Sequence, residues 1–286
     1  MWSEILQQIQ QMQREAKQQG HSLWYRGHRD AKWSLKSSIH RRVDHSFDSV
    51  GFRAPEESRI ALLRELSKSL FHRFKARSVH LLAPHERSPW GTVFAMQHLG
   101  LPTRLLDWTE SFPCALYFAH LRRSSKEDAA VFVLRPERLN NLAVGQEALV
   151  FLDVEINMAQ TFNSYVYHPA MLPNPASPSK ENDLETVAVA PVWTNSRMLA
   201  QRAAFALCGA SFEPLEQKYA DCITKIVLPS GDFDEVEAFL DLAGQSHFGL
   251  FPDLEGLREH LFAEMNQEVD LVKEALGKRE VKSPEG

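Results

Sequence analysis

Residues 129 to 136, AAVFVLRP, constrain this chain more than any other stretch: six successive apolar residues are closed by Arg and Pro. A run this short, stopped by proline, reads as a strand buried on both faces. Such a strand needs neighbours beside it and cover above and below. LWY at 23 to 25, TRLLDWT at 103 to 109, TVAVAPVW from 186 and CITKIVLP at 222 to 229 read as further short strands.

Helical signals lie between them without regular alternation. Residues 3 to 19 place Ile5, Leu6, Ile9 and Met12 on one face, with Ser3 as the expected N-cap and Gly20 as the stop. Residues 56 to 77 start acidic and end basic, in accord with the helix macrodipole. Further helices are expected over 90 to 100, 111 to 122, the stretch DFDEVEAFLDLAG, and from near Pro252 to about 277. Residues 137 to 165 have no clear period, and 168 to 182, with four prolines, read as a surface loop. No Gly-rich phosphate loop follows a strand, which disfavours a doubly wound dinucleotide fold. The expected class is α+β: a single domain whose mixed, mostly antiparallel core sheet is flanked by helices. Residues 1–20 are expected as a helix packed on a domain spanning 21–265, and 266–286 as a polar extension.

Composition narrows the function. The net charge is −5, so nucleic acid is not held by bulk charge and any phosphate recognition must be local. Cys114, Cys208 and Cys222 lie far apart, without the spacing of a zinc site or a redox motif, and read as reduced thiols. No metal site is expected. No 18 consecutive apolar residues occur, so no membrane association is expected and a cytoplasmic location is.

Against this acidic background, LWYRGHRDAKWSLKSSIHRR, residues 23 to 42, holds six Lys/Arg and one acid. It is either a solvated basic face or the wall of an anion site. Three blocks then stand out: Tyr25-Arg26-Gly27; Gln97-His98-x-Gly100-x-Pro102-Thr103-Arg104-Leu105-Leu106-Asp107-Trp108-Thr109; and Asn195-x-Arg197-x-x-x-Gln201. Together with FGLFPDLEGL at 248 to 257 they resemble the FRG domain family, over about residues 20 to 262. One departure is Ala203, where the family's pattern has glycine.

The chemistry of these residues can be weighed beside the resemblance. Arg26 offers a planar fork of donors suited to phosphate, at an expected strand end where Gly27 would let a ligand approach the backbone. His98 and Asp107 could form a general acid/base pair, or Asp107 could cap the next helix. Thr103, Asp107 and Thr109 share a face if the segment is extended, with Trp108 turned to the core. Tyr25 and Tyr117 are either stacking platforms or core aromatics. Asn195 is suited to an N-cap, while Arg197 and Gln201 share a helix face, Gln201 offering a donor and an acceptor to ribose hydroxyls. Arg104 is counted with the binding set. A glycosyl-transfer site also needs a carboxylate to support a cationic sugar; outside Asp107 the nearest are Glu155 and Glu185.

An Arg-Gly ending the first core strand, followed by a Thr-bearing strand that leads into a helix, is similar to the start of mono-ADP-ribosyltransferases. That resemblance implies that Arg26 grips NAD and that the hydroxyl strand lines the nicotinamide ribose. The expectation is therefore an enzyme using NAD to modify a nucleic acid (RNA or DNA) or a protein, as a toxin or phage-defence effector. The rival is a noncatalytic nucleotide- or RNA-binding module. A metal-dependent nuclease would need clustered acids, and the blocks supply Asp107 alone.

Overall fold

The computed structural model describes residues 1–151, 185–191, 193 and 195–280. The helices are α1 (Trp2–Gln19), α2 (Ser38–Asp48), α3 (Glu56–Ser78), α4 (Pro89–His98), α5 (Phe112–His120), α6 (Pro136–Val144), α7 (Ser196–Ala200), α8 (Leu215–Lys218), α9 (Phe233–Leu242), α10 (His247–Leu250) and α11 (Leu254–Glu280). The strands are β1 (Trp24–His28), β2 (Leu105–Thr109), β3 (Ala129–Leu134), β4 (Val150–Phe151), β5 (Val187–Ala190), β6 (Ala203–Leu207) and β7 (Ile223–Leu228).

They form one sheet in the order β4-β5-β6-β2-β1-β3-β7, antiparallel except for β4 beside β5. The α+β class and the mostly antiparallel sheet follow the sequence reading. All six residues of β3 are buried, as its composition demands. On one face Ile5, Ile9, Met12 and Ala16 of α1, with α5 and α9, cover Tyr25, Val131, Val133 and Leu228. Farther along that face α3 and α4 bring Phe71 and Phe94 onto Leu105, Phe205 and Leu207. The other face holds Trp24, Trp108, Phe132 and Leu139. Fully burying each such side chain contributes about 1.5–3 kcal/mol.

Several local expectations are corrected. Ser3 lies inside α1, whose N-cap is Met1, while Gly20 does end the helix in the left-handed conformation (φ 72°). Helices α2 and α6 occupy stretches where no helix was expected. Arg26 stands within β1 and not at its end. The proline-rich stretch 168 to 182 lies outside the described residues. Among the described residues no helix is long and apolar enough to cross a membrane.

The sheet is narrowest at its centre. β1 pairs with β3 over five residues and β2 with β6 over five, yet β1 and β2 share only Tyr25 opposite Thr109. Beyond that pair the two ladders part. Gly27 gives one reason: a Cβ there would sit 1.9 Å from the Ala115 carbonyl oxygen and 2.6 Å from the Ala119 nitrogen, so α5 seats directly on β1. Arg26 gives another, since its Nη1 donates to the Asp107 carbonyl oxygen at 2.6 Å, a strand acceptor that β1 does not meet.

Candidate active site

A cleft of about 970 Å³ follows this split. Its walls come from β1 and the segment after it, from β2, from the last turn of α4, from α5, and from Arg197 and Gln201 around α7. Arg26, Arg29, Lys32, Arg41 and Arg197 line it, and Asp107 is the one carboxylate among the lining residues. Five cations and one acid in a chain of net charge −5 make a focused positive field. The basic stretch 23 to 42 is thereby divided: α2 carries Arg41 to the cleft, whereas Lys36 pairs with Asp44 at 2.8 Å.

Asp107 occupies the exposed middle position of an otherwise buried strand. Gln97 Nε2 donates to both of its carboxylate oxygens, at 3.0 and 2.9 Å. The orientation of Gln97 is set from behind, because Thr103 Oγ1 donates to Gln97 Oε1 and itself accepts from Leu105 N at 3.0 Å. A chain of donors thus runs from the β2 backbone to the carboxylate and fixes its orientation. Arg26 Nη1 lies 3.7 Å from Asp107 Oδ2.

Arg26 is oriented from its other side as well. Its Nε donates to His28 Nε2 at 3.0 Å, and His28 Nδ1 faces the Trp33 carbonyl at 3.4 Å. The Nδ1–H tautomer satisfies both contacts and keeps the ring neutral. Burial and then the Arg26 charge push the His28 pKa down to about 3, in agreement with that tautomer.

The remaining predicted residues divide by place. Gln201 and Thr109 line the cleft and are tied down: Thr109 Oγ1 donates to the Gln201 carbonyl at 2.6 Å, and Gln201 Nε2 donates to the Leu250 carbonyl at 3.0 Å. Arg197 lies over the Phe251 ring at 4.4 Å; burial lowers its pKa and Asp107 opposes that shift. Thr103 is buried and reaches Asp107 only through Gln97. Gly27 borders the cleft, but the space its missing side chain leaves is filled by α5 and not by a ligand.

Tyr25 borders the cleft, but it is almost wholly buried, edge-on to Phe112, its hydroxyl accepting from Gln13 at 3.0 Å. The others stand elsewhere. Tyr117 turns away from the cleft to His247 Nδ1 at 2.9 Å. Arg104 is buried beneath β2, donating to the Cys208 carbonyl at 3.3 Å. Asn195 is the N-cap of α7, accepting from Met198 N at 2.8 Å. His98 is exposed, with Arg197 as its foremost charged neighbour, so the expected His98–Asp107 pair gives way to Gln97–Asp107. The cap of α5 is Ser111, which frees Asp107 from that role. Glu185 is engaged with Lys218 at 2.8 Å and with the Tyr219 hydroxyl; Glu155 lies outside the described residues.

Sequence reasoning missed Gln97, His28 and Trp33 as site residues. Trp33 is 44% exposed on the cleft wall, with the Arg29 guanidinium 5.1 Å from its ring centre. A tryptophan set among Arg29, Lys32 and Arg41 was the signal the sequence offered. Residues 21–128 match the family model described as the FRG domain, which takes in the first two sequence blocks and not the third. No curated protein and no solved structure matches the chain.

Proposed function

With an FRG domain as the premise, we propose that the cleft binds a phosphate-bearing nucleotide and that the chain acts on NAD as an ADP-ribosyltransferase-like enzyme. The observation that carries this reading is the single carboxylate set among five cations in a cleft of dinucleotide size. Arg26 and Arg197 would hold the pyrophosphate, Arg26 by its paired N–H donors. Asp107 would face the sugar carbon as its bond to nicotinamide lengthens and positive charge develops there. Nicotinamide leaves with the bonding electrons, the acceptor's nucleophile bonds to the same carbon, and the acceptor's proton is lost to solvent or to Asp107. Gln97 would keep the carboxylate in place, and Gln201 Oε1 would accept from a ribose hydroxyl.

A noncatalytic nucleotide- or RNA-binding module is the second reading, favoured by the hydrogen bonds that already occupy both Asp107 oxygens. Release of nicotinamide from NAD by the purified protein decides between them. The transferase reading expects release, lowered about 100-fold or more by Asp107→Asn with unchanged melting, and abolished by Arg26→Ala. Binding of NAD or ADP-ribose without release, insensitive to Asp107→Asn, would leave the binding module. An intracellular toxin or phage-defence role goes with the first reading, and is tested by NAD depletion and growth arrest on expression.

A further inference from the structure

Helix α11 ends in a face that nothing in the described chain covers. At its base Gly256 seats it on α10: a Cβ there would lie 1.8 Å from the Phe251 carbonyl oxygen, and Gly256 itself is buried. From Leu261 to Glu274 every residue is exposed. Within this stretch and just past it, Phe262, Met265, Val269, Val272 and Leu276 are 43–57% exposed. Their spacings of three, four, three and four residues are those of an a/d heptad seam, and the seam runs about 21 Å along the helix. Leu261 borders it and Leu271 lies off it.

The charges beside the seam identify its occupant. With Phe262, Val269 and Leu276 at a, and Met265 and Val272 at d, Glu268 falls at g and Lys273 at e of the following heptad. In a parallel two-stranded coiled coil, a g residue faces the partner's e residue five positions on, so Glu268 of each copy would meet Lys273 of the other. Within one chain Lys273 pairs with Asp270 at 3.1 Å, both side chains more than 70% exposed, an ion pair of little worth that association can exchange. A lipid surface fits poorly, since Glu264, Glu268, Asp270 and Glu274 outnumber Lys273 along the same stretch and anionic headgroups would be repelled.

We infer that α11 is a dimerisation helix, whose Phe262–Leu276 seam pairs in parallel with the same seam of a second copy of this chain. Two heptads make a weak zipper, but the helix is already anchored at its base, which lowers the ordering cost of pairing. The dimer should therefore be concentration-dependent in the micromolar range.

Sedimentation equilibrium of the full chain tests this. The wild type should shift from monomer to dimer with rising concentration, and Val269→Asp should remain monomeric with unchanged melting. Glu268→Lys and Lys273→Glu, each alone, should associate at least about tenfold more weakly, because each places like charges opposite one another. An equimolar mixture of these two variants should dimerise like the wild type, since every facing pair is then opposite in sign. A wild type that stays monomeric throughout overturns the proposal. So does a dimer indifferent to Val269→Asp, or two charge variants that fail to rescue each other. Binding to phosphatidylserine vesicles that Val269→Asp abolishes, without self-association, would assign the face to lipid and equally overturn it.

Discussion

Two Arg–His pairs stand on one face of the sheet, one in the split between β1 and β2 and one at the start of β2, and they differ in what surrounds them. In the cleft, Arg26 donates to neutral His28 and to the Asp107 carbonyl, with its side chain still 20% exposed. At the start of β2, Arg104 donates to the Cys208 carbonyl, and His40, joined to Ser37 at 2.7 Å and edge-on to Phe212, is sealed from solvent. Both histidines are pushed down to a pKa of about 3, by burial first and by the neighbouring arginine second. Residue type and perturbed pKa are therefore shared. What separates a candidate site from an interior network is the break in the sheet, which leaves one pair an open side.

The sharpest way to break this comparison is to disturb the split itself. Gly27→Ala sets a methyl group 1.9 Å from the Ala115 carbonyl, so α5 must lift or β1 must shift. A loss of about 3 kcal/mol or more is expected in a denaturant midpoint series. A variant that melts like the wild type would show that α5 does not fix where the ladders part.

The next effect, proton uptake, treats the two regions alike. Above pH 6.5 both histidines are neutral whether the chain is folded or not, and neither makes stability depend on pH. Below it the unfolded chain takes up protons that the folded chain refuses until about pH 3, so stability falls with pH across that window. The slope is about 1.4 kcal/mol per pH unit for each histidine, about 2.7 for both. His28→Gln, which keeps an acceptor for Arg26, should remove about half of it. A His28 that NMR titrates near 6.5 would mean that the cleft wall is wetter than the interior and would spoil the parallel.

A smaller effect separates the pairs again. Arg104→Met leaves the Cys208 carbonyl and its sealed surroundings without their donor, and about 2 kcal/mol of stability should go, with nucleotide affinity unchanged. Arg26→Met should cost less than about 1 kcal/mol of stability because its head borders solvent, yet weaken nucleotide binding at least tenfold. Calorimetric titration and thermal melting on the two variants give opposite patterns if the comparison holds.

That contrast also marks how far the sequence could be read. Five of the seven described strands were legible because each carries its own apolar run, β3 above all, whereas β4 and β6 were not read as strands. The meeting of Arg26, Asp107 and Gln201 on one cleft was legible from the three blocks, whereas Thr103, expected with them, is buried behind Gln97. Direction was not. Arg104 and Asp107 sit in one block, three residues apart on extended chain, so they point to opposite faces, and what covers each face is set by distant elements. Gln97 and His98 are adjacent, and the 100° step of a helix turns one to Asp107 and the other to solvent. The rotation at which α4 docks decides which, and that comes from Phe94 and Met96 packing on distant strands. Helix α2 escaped notice because its buried face includes a histidine, His40, beside Ile39 and Val43.

The smallest effect concerns the aromatics, where sequence and structure disagree on which ring faces the ligand. Tyr25 and Tyr117 are the candidate platforms of the sequence, with a core role as the alternative; the Tyr117 hydroxyl meets His247 and its ring packs edge-on to Phe118. Tyr117→Phe removes one half-buried hydrogen bond, so stability should fall by about 1 kcal/mol and nucleotide affinity should not change. Trp33 is the ring on the cleft wall, and a base stacked there contributes about 1–3 kcal/mol in comparable sites, so Trp33→Ala should weaken binding about fivefold or more with little loss of stability. The ring is half-exposed, which is why the stability cost stays low while the ligand face is open. Equal affinities for Trp33→Ala and the wild type, with a loss in Tyr117→Phe, would move the base-binding end of the site across α5 and away from the segment that follows β1.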